Sequence, residues 1–84
     1  MNQDEIRAGI LRALGASAPE MDPSALKPDM DLREQIDLDS MDVMNFVVAV
    51  EKELGVAVPD TDVGGLVTLN DWVAYLSRAL VSEA

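Results

Sequence analysis

The chain contains no cysteine and no histidine. Without cysteine it has no disulfide, no zinc–thiolate site and no thiol nucleophile of its own. Without histidine, the usual base beside a serine nucleophile is missing, and Lys27 and Lys52 are the only lysines to replace it. These two absences argue against an enzyme. Aromatic residues are nearly absent as well: Phe46, Trp72 and Tyr75 are the only three, so aliphatic side chains must fill any core. Positive charge is scarce, with 6 basic residues against 16 acidic ones and a net charge of −10. That balance excludes nucleic acid and anionic membrane as partners recognised by charge and favours basic protein surfaces. No stretch approaches the ~20 apolar residues of a membrane span. The opening MNQDEIRAG also lacks the basic start and apolar run of a targeting leader. The expectation is a cytoplasmic monomer that does not insert into membranes.

What is present is 84 residues, 49% of them hydrophobic, enough for one domain spanning 1–84 with a modest core. Residues 4–14 place Ile6, Ile10, Ala13 and Leu14 at helical spacing, with Gly15 as the expected stop. Pro19, Pro23 and Pro28 then forbid a continuous helix through the start of a long connection. Connections longer than about 12–15 residues tend to be functional or disordered. Here Leu26, Met30, Leu32, Ile36 and Leu38 recur often enough to pin the loop to a core, with a short turn near 32–36. Residues 40–54 form the most apolar element, and Gly55 ends it. Phe46, Val47, Val50 and Leu54 mark its core stripe, and Met41, Met44 and Val48 lie on a neighbouring face. Val56 and Val58 alternate along a short extended segment. Residues 60–67 form a weak third helix, because Gly64 and Gly65 each cost about 1 kcal/mol relative to alanine. The last helix covers 69–81, buries Trp72, and starts on a capping-box pair, Thr68 and Asp71. The fold class is therefore all-α: a small antiparallel four-helix bundle with a long first connection and a short, weak third helix.

One tetrapeptide, DSMD at 39–42, has two compatible readings. Asp39 as N-cap and Asp42 three residues later make a capping box. Ser40 between them is a hydroxyl at the first helical position, where an attached anion would meet unpaired backbone amides. Repulsion from a carboxylate ~6 Å away in water costs only about 0.7 kcal/mol. The helix dipole returns a similar ~0.3–1 kcal/mol. The acids therefore permit a phosphate there. A calcium loop over the same acids fails, since the required Gly and Glu positions fall on Asp42 and Val48. Asp60, Asp62, Glu51 and Glu53 read as a solvated acidic face. Met41 and Met44 are either core or adaptable contact surface.

Together, DSMD, the apolar segment ending in EKELGVAVPD, and TLNDWVAYL resemble the acyl carrier proteins, in a register that runs from Asp39 to Leu76 without a gap. The resemblance implies that Ser40 carries 4′-phosphopantetheine, transferred from coenzyme A by a phosphopantetheinyl transferase. The arm's thiol would hold acyl groups as thioesters between enzymes of fatty-acid, polyketide or specialised lipid synthesis. It also implies that Asp39 and Asp42 dock acyl-loading and acyl-transferring enzymes through basic surfaces, and that Met41 inserts into a partner pocket. Met44, Asn45, Val48, Glu51 and Lys52 would complete the recognition face. Phe46, Val47, Val50, Val58, Leu66 and Leu69 would border a space for the acyl chain.

The departures from the family pattern also carry information. Asp37 stands where many members have Gly, and Asn45 and Lys52 stand where acids are common, which implies a specialised carrier. Met after the serine also occurs in D-alanyl carrier proteins, but Asp42 takes the place of their usual Gly. Asp39 argues against peptidyl carriers. The alternatives are a D-alanyl or other aminoacyl carrier, and an unmodified acidic helical adaptor of the same fold.

Overall fold

The computed structural model describes residues 2–82. Helix α1 spans Gln3–Ser17, opened by a reciprocal capping box between Asn2 and Glu5. It runs through Gly15, where the sequence predicts a stop. The roughly 1 kcal/mol that glycine costs a helix is outweighed by burial of Ala13 and Leu14 beside it. The helix ends at Ala18, whose helical conformation is disfavoured by the following Pro19.

The connection from α1 is ordered by specific bonds. Asp22 caps a single 3₁₀ turn, Pro23–Ala25, and Asp31 caps α2, the one-turn helix Leu32–Gln35 at the expected position. The Gln35 side chain clamps the loop, accepting from the Lys27 amide at 2.6 Å and donating to the carbonyls of Lys27 and Met30 at 2.8 and 3.1 Å. The Leu32 amide bonds to the Val67 carbonyl, and the Asn70 amide to that of Pro28, both at 3.0 Å. Leu32 and Ile36 are buried as expected, and Leu26 and Leu38 are half-buried. Met30 departs from the expectation: it is 40% exposed, on a turn whose backbone rather than its side chain is held.

Helix α3, Ser40–Leu54, buries Phe46, Val47, Val50 and Leu54, the stripe read from the sequence. Gly55 ends it in the left-handed region at φ 65°, donating to the Glu51 carbonyl at 2.8 Å. Helix α1 packs against both α3 and α5, Leu69–Ser82. At the crossing of α1 and α3 a Cβ on Gly9 would lie 2.9 Å from a Leu54 methyl, so any larger residue there requires the Leu54 side chain to shift. Val56 and Val58 are buried in the short extended link to α4, Asp60–Val63. That single turn has no side-chain cap, in keeping with a weak third helix. Thr68 and Asp71 cap α5 reciprocally, with bonds of 3.1 and 3.0 Å. Phe46 and Trp72 meet edge to face across the core, their ring centroids 5.0 Å apart.

Candidate functional site

Ser40 is exposed and is the first residue of α3. The two acids beside it cap the helix mutually: an Asp39 carboxylate oxygen accepts from the Asp42 amide at 2.8 Å, and Asp42 accepts from the Asp39 amide at 3.3 Å. The Val43 amide bonds to the Asp39 carbonyl at 3.0 Å. Among the described residues the Ser40 hydroxyl makes no hydrogen bond, and the Ser40 and Met41 amides have no acceptor. This combination leaves a reachable hydroxyl over two unpaired amides at the positive end of a fifteen-residue helix. A phosphodiester on the hydroxyl fits that donor set.

Along α3 the exposed side chains form one face. Met41 and Met44 are each 64% exposed and Val48 47%, with Asn45 and Lys52 exposed beside them. Their spacing of three and four residues puts them in line with Ser40. Both methionines are exposed rather than core. Glu51 differs from its neighbours. It is half-buried, and its carboxylate accepts from the Val58 amide at 2.8 Å, holding the extended link against α3. The acidic face expected from Glu51, Glu53, Asp60 and Asp62 is thus only partly solvated. Glu53 pairs with Arg12 at 2.9 Å, and Asp62 accepts from the Tyr75 hydroxyl at 2.6 Å. That bond to Asp62 is the main reason the Tyr75 phenol is pushed above its ordinary pKa.

Of the six residues expected around an acyl chain, Phe46, Val47, Val50, Val58 and Leu69 share one buried core cluster, and Leu66 packs against it. A recess of about 180 Å³ opens between α3, α4 and the first connection, and of the six only Phe46 and Leu66 line it. Val47, Val50, Val58 and Leu69 are buried elsewhere in the core. The recess takes its other apolar lining from Leu32, Leu38, Val43, Val63, Val67 and Trp72. A signal for Leu38 and Val43 was available: they are the apolar residues flanking the DSMD segment. Among the described residues no cluster of acids could hold a metal ion. No described helix is long and apolar enough to cross a membrane.

Residues 4–76 match the family model of the phosphopantetheine attachment site. An acyl carrier protein of Acidothermus cellulolyticus is 32% identical over 82 residues, covering 98% of this chain and 96% of the relative. The chain belongs to the acyl carrier protein family. The meromycolate extension acyl carrier protein of Mycobacterium tuberculosis is 33% identical over 78 residues, 93% of this chain and 67% of that protein. The solved acyl carrier protein of Enterococcus faecalis shares the fold, with a TM-score of 0.76 at 20% identity over 94% of this chain and 99% of that one. Carrier proteins of this family hold covalent 4′-phosphopantetheine, serve as carriers rather than catalysts, and work with acyl-handling enzymes.

Proposed function

We propose that Ser40 is the attachment point of 4′-phosphopantetheine, and that this acyl carrier protein presents acyl thioesters to successive enzymes of fatty-acid or specialised lipid synthesis. The observation that carries the reading is the free Ser40 hydroxyl over two unpaired amides within a family match covering residues 4–76. When bound, the group supplies a terminal thiol on a flexible arm, which a chain without cysteine lacks. The protein's own residues orient and recognise. The Asp39–Asp42 box fixes the helix start, and each carboxylate keeps an oxygen for a partner's basic side chain. Met41, Met44 and Val48 supply the apolar contact. Asn45 and Lys52 lower the negative charge of this face and favour partners less basic than a uniformly acidic helix would attract. The likeness to meromycolate extension carriers supports specialised lipid synthesis, and the similar likeness to the Acidothermus cellulolyticus carrier supports a general fatty-acid role. The recess beside Leu38 and Val43 is the space for the start of an acyl chain.

Incubation with coenzyme A, magnesium and a broad-specificity phosphopantetheinyl transferase tests the assignment by intact mass. The expected result is a gain of one phosphopantetheine that Ser40→Ala abolishes. An unchanged mass, or a gain that survives in Ser40→Ala, points instead to the unmodified adaptor or to another attachment residue.

A further inference from the structure

The end of α1 and the first connection line a groove that the proposed carrier role does not use. Its volume is about 490 Å³, within the ~300–1,000 Å³ typical of ligand sites. Met21, Leu26 and Ile36 give it an apolar floor, and Glu20, Asp22 and Asp37 are the charged residues that line it. No lysine or arginine lines it. The walls are held in place from within. Asp22 accepts from the Ser24 amide at 3.0 Å and from the Ser24 hydroxyl at 2.7 Å, and the second bond is the main cause of its lowered pKa. Gln35, which also lines the groove, is the side chain that clamps Lys27 and Met30. A preformed groove binds without first paying the entropy of ordering its walls.

We infer that this groove docks a basic, amphipathic segment of a partner protein, whose apolar side chain rests on Met21, Leu26 and Ile36 while its arginine or lysine reaches Glu20 and Asp37. Charge complementarity selects the occupant: an apolar floor with a one-signed acidic rim suits a cationic amphipath and repels an anionic one. Asp37 lies three residues before Ser40, so the groove adjoins the start of α3 along the chain. A partner seated in both would read two surfaces of the carrier at once. The residue that departs from the usual glycine thereby gains a use. The surface does not depend on modification of Ser40.

The test is an NMR titration of the unmodified full chain with a short synthetic peptide of alternating arginine and leucine, against an arginine–glycine counterpart. The docking site predicts that shifts concentrate at the amides of Met21, Leu26, Ile36 and Asp37, and that the glycine peptide binds more weakly. With Glu20→Gln and Asp37→Asn combined, affinity should fall about five-fold, as for the loss of two exposed ion pairs. The equally charged control, Asp29→Asn with Glu34→Gln, should change it less than about two-fold. Shifts centred on residues 39–52, equal binding of the two peptides, equal loss in the two double variants, or no binding would each overturn the proposal.

Discussion

The two faces of α3 differ in burial, although each carries large apolar side chains. Phe46, Val47, Val50 and Leu54 are at most 9% exposed and join α1 and α5 in the core. Met41, Met44 and Val48, also apolar, are 47–64% exposed. Burying such a side chain is worth about 1.5–3 kcal/mol. Leaving three of them in water, in line with Ser40, forgoes that gain in the folded chain, and under the proposed function that gain is available for binding. The two stripes lie about 140° apart around one helix, and under the proposed function that rotation separates stability from recognition.

The strongest challenge to this separation comes from the buried face. Phe46→Ala should destabilise by about 3–5 kcal/mol, since it empties a core position and removes the edge-to-face contact with Trp72. Urea unfolding measures this, and a loss under about 1 kcal/mol would show that the core face is not what holds the fold. Glu51 sharpens the comparison because it sits between the faces. Glu51→Ala should cost about 1–2 kcal/mol by leaving the Val58 amide unpaired, while Glu51→Gln, which keeps an acceptor, should cost less. If both variants leave stability unchanged and instead weaken partner binding, Glu51 belongs to the recognition face.

Asp39 is the residue where both uses meet. Asn caps a helix about as well as Asp, so Asp39→Asn should hold stability within about 0.5 kcal/mol. Transferase loading should slow and lose part of its salt dependence, because a charge has gone from the docking surface. Asp71, far from that surface, provides a pH control. Hydrogen bonds from the Thr68 and Val67 amides, the former the larger cause, hold its pKa below the ordinary 3.8. A depressed folded pKa contributes stability above the unfolded value and loses it as pH falls through the folded one. Stability measured by urea unfolding should therefore fall with acid below about pH 4 in wild type and fall less in Asp71→Asn. The smallest effect is dynamic: amides of Gly64 and Gly65, in the turn after the uncapped α4, should exchange faster than those of 44–52.

Much of this division was legible in the sequence, and the failures have physical causes. The core stripe of α3, the Asp39–Asp42 box, the Thr68–Asp71 box and the Gly55 stop follow from local periodicity and capping chemistry, and each stands as expected. Gly15 misleads because a propensity cost near 1 kcal/mol loses to tertiary burial one residue away. Met30, Glu51 and the Tyr75–Asp62 bond depend on which turns approach which, over separations that periodicity does not encode. The recess was only partly legible: Phe46 and Leu66 were anticipated, but Leu32 and Leu38 come to its wall from the first connection, whose path is set by Gln35 and by the bonds to Val67 and Pro28.

The separation of the two faces is tested most directly by the double variant Met41→Ser with Val48→Ser, assayed for both unfolding midpoint and rate of phosphopantetheine loading. The account predicts a midpoint within about 0.5 kcal/mol of wild type, as for exposed positions, with loading slowed at least ten-fold by lost apolar contact. A large loss of stability, or loading at the wild-type rate, would contradict it.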